Sequence, residues 1–313
     1  MILLRSDTPR MSIVGVFGQG LIGSAIVQQL RKTRLIVDSQ SKLDWTLVSA
    51  LRLQLQEIEQ RLVTALGDSG GMLDLVWSAG KAGFSATDDE ASRERDTFSA
   101  VIDMAGSVVK QCGNLDASFH LVSSAGGLYE GQQRVDDDSV PIPQRPYGRL
   151  KLEQERILID TPISMQRHIY RPSSVYGWLR GGKRQGLIQT MVYNGLLNHE
   201  TVIIGNMNTL RDYIWVEDVA QTVTNHIGCR KSSANPAIHI LANGCPCSIF
   251  QIKHTVQTVL NRPVIVRYSR GATNARDTTF APRLLKNRRE PTDMRLAIER
   301  MASEFASNGL VLG

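Results

Sequence analysis

The chain has 313 residues, 42% hydrophobic and 21% charged, with a net charge of +6, which is the profile of an ordinary globular protein long enough for about two domains. No apolar run approaches the roughly 18 residues that span a bilayer, and Ile2-Leu3-Leu4 falls short of the roughly 7-residue apolar core of a signal peptide. A cytoplasmic protein without a membrane partner is therefore expected, with Met1 to Arg10 a loose leader before Met11.

Ser12 to Phe17 is a short apolar, β-branched run that leads into Gly18-Gln19-Gly20-Leu21-Ile22-Gly23 and then a helical pattern through Ala25, Ile26, Val27 and Leu30. Strand, glycine turn and helix in that order predict a dinucleotide site over Gly18, Gly20, Leu21, Ile22 and Gly23. There the first glycine makes the turn, the second admits a pyrophosphate and the third packs helix on strand. A second strand, Arg34 to Asp38, places Asp38 twenty residues after Gly18, the spacing of a carboxylate that accepts the adenosine ribose hydroxyls of NAD. Arg34, Ser39 and Lys42 could instead receive a 2′-phosphate, so NADP stays open.

Leu47 to Leu66 reads as an amphipathic helix, and Met72 to Gly80 as a buried strand ending in Ser78-Ala79-Gly80; small residues such as Ala79 and Gly80 let a cofactor cross a sheet edge. A helix from about Glu90 to Cys112 follows, then the strand Ser118 to Val122, which contains His120, expected to be a satisfied core histidine. Beyond it stand Ser123-Ser124, and then Tyr147 and Lys151 at the head of another helix. Four residues make about one helical turn, so phenol and ammonium share a face. Transferring a hydride at an alcohol carbon requires a proton to leave or join its oxygen, and a free tyrosine is a poor base at neutral pH. An ammonium one turn away favours the phenolate, so Tyr147 is expected to be the acid/base and Lys151 to tune it and hold the nicotinamide ribose. Ser124 would hydrogen-bond the same substrate oxygen.

Gly182 to Leu210 reads as the start of a second lobe, Val219 to Gly228 as a returning helix, Ala237 to Leu241 as a strand, and the chain from Ser248 as helix, strand and basic tail. From Arg262 to Arg300 ten Arg or Lys face four acids, so 10 − 4 = +6 and this segment carries the whole excess charge. Thr292 to Phe305 has apolar residues spaced for one buried helix face. Cys112, Cys229, Cys245 and Cys247 lack zinc-site spacing, so reduced structural thiols and no metal are expected.

With these motifs the chain, from about Ile13 to Arg300, resembles the extended short-chain dehydrogenase/reductase family, the NAD-dependent epimerase/dehydratase group that acts on nucleotide sugars. Arg171 to Gly177 and Arg211 to Ala220 are similar to two further signatures of that family. The resemblance implies a doubly wound Rossmann sheet (11–180, with 211–244 returning to it) and a smaller discontinuous C-terminal substrate lobe (181–210 and 245–313). It also implies a homodimer, Pro172 at the cofactor, Ser174 at the substrate, and Arg211, with Arg276 second, on a substrate diphosphate. The basic tail then has a use without nucleic acid, because arginine suits a diphosphate. Phe17 stands where the family has a glycine, Ser174 where it has asparagine, and the acidic motif near the adenine is not recognisable. Ser124 is followed by Ala125-Gly126 where sugar dehydratases carry Asp-Glu, which disfavours dehydration, a reaction needing a further acid and base. Epimerisation or ketoreduction of a nucleotide-linked sugar is the expected activity; a non-catalytic NAD(P)-binding regulator is the alternative.

Overall fold

The computed structural model describes residues 1–6, 10–39, 43–67, 71–179, 186–229, 236–269, 276–282 and 290–307. Lys42, Gly182 and the tail residues Arg270, Arg283, Lys286, Arg288 and Arg289, on which parts of the expectation fell, lie outside them. In chain order the first elements are β1 (Ile2–Ser6), β2 (Ser12–Phe17), α1 (Leu21–Leu30), β3 (Leu35–Ser39), α2 (Val48–Leu66), β4 (Met72–Trp77), α3 (Asp88–Gln111) and β5 (Asp116–Val122). They continue with α4 (Ala125–Leu128), α5 (Pro146–Asp160), β6 (Gln166–Pro172), β7 (Ser174–Tyr176), α6 (Leu187–Leu196), β8 (Thr201–Ile204), β9 (Leu210–Arg211) and β10 (Tyr213–Trp215). The last are α7 (Val216–His226), β11 (Ala237–Leu241), β12 (Cys247–Ser248), α8 (Ile249–Leu260), β13 (Val266–Ser269) and α9 (Met294–Ser307).

The chain divides into two compact units, the first formed by Met1–Leu128, Pro141–Arg171 and Ala220–His239, the second by Tyr129–Val140, Pro172–Val219 and Ile240–Gly313. The first unit is built on a mixed α/β, mostly parallel sheet with strand order β11-β6-β5-β4-β2-β1-β3. Every residue of β2 is buried, as a strand covered on both faces requires. Ile13 and Phe17 join one core with Leu51, Leu62, Phe98 and Leu158 from α2, α3 and α5, while Val14 and Val16, fully buried, point to the opposite face. Trp77 centres the aromatic part of that core, 5.9 Å from Phe17 and 5.3 Å from Phe98 between ring centroids. α3 starts at a capping box in which Thr87 and Glu90 exchange hydrogen bonds with each other's backbone N–H, and α5 starts with Pro146 in its first turn, where the missing N–H costs nothing.

One expectation is corrected here. Met1 to Arg10 is not a loose leader: Ile2–Ser6 forms a strand antiparallel to both β2 and β3, because Leu3 and Leu4 alternate onto two buried faces, 5% and 0% exposed. The strand carrying Asp38 consequently does not neighbour the strand that leads into the glycine turn. It lies two strand spacings away, about 9–10 Å, and Asp38 pairs with Arg61 at 2.5 Å.

In the second unit β7 pairs with β10, β9 with β12, and β8 with β13. Phe305 of α9 packs against Trp178 and Tyr193, each at 5.5 Å. Asp218 accepts from the backbone N–H and hydroxyl of Thr292, both at 2.8 Å, just ahead of α9. Among the described residues no helix is long and apolar enough to cross a membrane.

The place of β1 is open to test. Leu4→Ala should cost about 2–5 kcal/mol of stability, the usual range for emptying a fully buried leucine site, read from urea denaturation. A loss under about 0.5 kcal/mol, typical of surface positions, would remove β1 from the sheet.

Candidate functional site

The glycine turn is built by three different constraints. Gly18 has φ +91° and lies so close to the end of β4 that a Cβ there would come within 2.5 Å of Ala79 backbone atoms, so only glycine fits. At Gly23 a Cβ would meet the Gly18 carbonyl at 2.0 Å and Ser78 Oγ at 2.5 Å. At Gly20, by contrast, a Cβ would meet nothing within 4 Å. Turn, close packing and open approach thus fall on the first, third and second glycine, the division that a pyrophosphate-binding turn demands. Leu21 and Ile22 form the first turn of α1, whose N-cap Gly20 offers no side-chain cap and whose first turn holds no acid. Its N–H groups and positive dipole end are therefore available to an anion. Ser78 ties the edge together by donating to the Phe17 carbonyl at 2.9 Å. The residues present fit a dinucleotide at this edge.

At the end of β5, Ser124 accepts the Gly127 N–H through Oγ at 3.1 Å, which fixes the hydroxyl at the head of α4 and leaves its proton able to donate. A Cβ on Gly127 would lie 3.0 Å from the Tyr147 ring, and one on Gly148 would lie 2.2 Å from the Gly127 carbonyl. Helices α4 and α5 touch backbone to backbone, and this contact seats Tyr147. Phe84 completes the wall at 5.3 Å from the Tyr147 ring, and the Arg145 guanidinium lies over the Phe84 ring at 5.5 Å.

Lys151 is 5% exposed. Its Nζ lies 5.8 Å from the Tyr147 ring centroid and donates to Gln154 Oε1 at 3.0 Å and Glu94 Oε1 at 3.3 Å. Two of its three protons are thereby used within the protein. Glu94, 1% exposed, also accepts the backbone N–H groups of Lys81 and Ala82, both at 2.9 Å, and Gly80 abuts it. One carboxylate therefore holds both the loop after β4 and the ammonium. One turn further along α5, Glu155 accepts from Ser123 at 2.5 Å and from Arg171 Nε and Nη2 at 3.0 and 2.6 Å. Sequence reasoning missed Glu94, Gln154 and Glu155. The signal was there: Glu94 interrupts the apolar stripe of Ala91, Phe98, Val101 and Ala105, and Gln154 and Glu155 follow Tyr147 at seven and eight residues, on its face.

In the second unit Pro172 ends β6, and the Ser174 N–H donates to the Asp212 carbonyl at 3.1 Å. Asp212 itself accepts from Ser173 Oγ at 2.6 Å and from the backbone of Asn243 and Gly244 at 2.8 and 2.6 Å; burial raises its pKa against those bonds. Arg211 is bridged to Thr278, two residues beyond Arg276, whose stem runs close to Gly131. The two arginines thus lie on adjoining stretches of backbone.

A family model described as the NAD dependent epimerase/dehydratase family matches residues 13–234. The protein called "Putative UDP-glucose 4-epimerase" of Methanocaldococcus jannaschii is 28% identical over 138 residues, 42% of this chain and 45% of that protein, so the match spans less than half of its length. Among solved structures, UDP-glucose 4-epimerase of Thermus thermophilus in complex with NAD has a TM-score of 0.72 at 17% identity, covering 96% of this chain and 100% of that one. RMD of Pseudomonas aeruginosa complexed with NADPH has a TM-score of 0.74 at 14% identity, covering 95% and 99%. At such identities these two likenesses are of fold.

Removing one partner of a buried ion pair leaves the other uncompensated, so Glu94→Ala should lower stability by about 3–5 kcal/mol. Chemical denaturation measures it, and a change below about 1 kcal/mol, the range of an exposed pair, would show that Glu94 and Lys151 are not held together out of water.

Proposed function

The chain belongs to the NAD-dependent epimerase/dehydratase family, and from that footing we propose that it oxidises and reduces a hydroxyl carbon of a nucleotide-linked sugar, as an epimerase that retains its NAD or as a reductase of a keto-sugar. The observation that carries this reading is the seating of Tyr147 against Gly127, the residue whose N–H orients Ser124, with Lys151 one helical turn behind. An acid/base, an oxygen-orienting hydroxyl and a cation share one patch of the unit that contains the glycine turn.

In this reading the N–H groups at Gly20 to Gly23 hold the cofactor's phosphates, and the small residues Ala79 and Gly80 keep the sheet edge low beneath it. The nicotinamide, when bound, supplies the hydride acceptor and donor. Ser124 donates to the substrate oxygen and Tyr147 takes the proton from it, then returns it after reduction. Lys151 favours the phenolate electrostatically and keeps one proton for the ribose, while Glu94 and Gln154 fix where that ammonium sits. Phe84 and Gly127 hold the Tyr147 ring in one orientation. Arg211 and Arg276 bind the substrate's diphosphate, a task suited to the guanidinium fork. Ala125 and Gly126 offer neither acid nor base, so loss of water is not part of the proposal. Both NAD and NADP remain admissible cofactors, since Asp38 is engaged by Arg61 and stands apart from the glycine turn.

Tyr147→Phe should lower turnover by about 10²–10⁴-fold, the usual weight of a positioned acid/base, with cofactor affinity unchanged by fluorescence titration; retained turnover overturns the assignment. Denaturing the purified protein separates the two activities. Release of stoichiometric NAD identifies the epimerase, whereas an empty protein that consumes NADPH with a nucleotide keto-sugar identifies the reductase. Gly20→Ala provides a separate check on the cofactor edge. Its methyl group meets no protein atom within 4 Å, so the thermal midpoint should hold while NAD binding weakens at least about tenfold, or about 1.4 kcal/mol. Unweakened binding would place the pyrophosphate elsewhere.

A further inference from the structure

Away from the glycine turn, four histidines and a tyrosine gather in the first unit. His120 on β5 stands in register with His168 on β6, Tyr170 follows two residues on, His239 lies on β11 at the next position in the sheet, and His226 ends α7. Ring centroids are 4.9 Å apart for His120 and His168, 5.2 Å for His168 and His226, 5.8 Å for His168 and His239, and 4.5 Å for His226 and His239. One nitrogen from each of His168, His226 and His239 lies within 4.8 Å of the others.

Two independent features mark this cluster as a ligand site rather than packing. The first is His168, 2% exposed, with neither ring nitrogen hydrogen-bonded among the described residues. Leaving a buried polar group without a partner is destabilising, so such a ring calls for an explanation.

The second is a hydrogen-bond chain that reaches His226. Asp74 Oδ1 lies 3.0 Å from His120 Nε2, His120 Nδ1 lies 3.0 Å from Tyr170 Oη, and Tyr170 Oη lies 3.1 Å from His226 Nδ1. A ligating histidine ordinarily bonds an orienting partner through its other ring nitrogen, and this chain, anchored on a fully buried aspartate, places one beside His226.

We propose that His168, His226 and His239 form a binding site for one divalent late first-row metal ion of the zinc class. Three neutral imidazoles with a fourth position left to water are a known donor set for such ions. Tetrahedral bonds of about 2.0–2.1 Å bring such nitrogens to roughly 3.3 Å of one another, so the half-buried His226 and His239 rings turn out of their near-parallel stacks to close on the ion. The ion would join β6, β11 and the end of α7. His168 stands in register with His120, three residues or about 10 Å along a strand short of Ser123, so the site is separate from the proposed chemistry and independent of that reading.

The test uses the full chain without a histidine tag, stripped with chelator and titrated with Co²⁺. One equivalent should bind with the intense visible bands of four-coordinate cobalt and no thiolate charge-transfer band. Zn²⁺ should displace it and raise the thermal midpoint. His226→Gln and His239→Gln, at half-buried positions, should each weaken uptake at least tenfold while circular dichroism stays that of the parent chain; Cys229→Ser should leave uptake unchanged. Absence of stoichiometric uptake by the parent chain overturns the proposal, as do a thiolate band or equal uptake by both histidine variants.

Discussion

A carboxylate shut away from water organises the proposed reaction edge. Glu94 has almost no exposure, and moving an ion into such a place costs several kcal/mol unless charge and hydrogen bonds offset it. The offset comes from Lys151, Gln154 and two backbone N–H groups of the loop after β4. Because those partners belong to α5 and to the sheet edge, satisfying one ion sets the height of α5 over the sheet and the path of residues 80–82 together. Glu155 repeats the arrangement one turn on, where the bidentate Arg171 and Ser123 fix α5 to the ends of β6 and β5. The apolar core under α2 and α3 supplies bulk stability, but direction along α5 comes from ions.

Close backbone approach does the remaining positioning. Gly18 against Ala79, Gly23 against the Gly18 carbonyl, and Gly148 against the Gly127 carbonyl leave no room for a side chain. Each contact sits where two elements must meet edge to edge for a cofactor or a phenol to be presented. The open position at Gly20 among these closed ones separates a binding turn from a merely tight one.

The fold class was legible because it is carried by local signals: apolar β-branched runs, the glycine turn, amphipathic spacing and a tyrosine-lysine pair one helical turn apart. The partners of that pair were less legible, since Glu94 meets Lys151 only through tertiary packing of α3 on α5. The position of β3 in the sheet was not legible for a physical reason. A twenty-residue interval from Gly18 to Asp38 reports chain length, whereas strand order depends on which neighbour hydrogen-bonds, and Leu3 and Leu4 make β1 the better-buried candidate. The histidine cluster was invisible for the same reason: His168, His226 and His239 lie far apart in the chain, each on a strand or helix where a single histidine reads as packing, and only the sheet brings them into line.

The interior place of β1 also governs how the sheet meets solvent. Ile2–Ser6 occupies the hydrogen-bonding side of both β2 and β3, so the strand that leads into the glycine turn presents no open row of N–H and C=O groups. Exposed edges of that kind recruit other chains. A strand that carries neither cofactor turn nor proposed catalytic group thus guards the sheet against self-association.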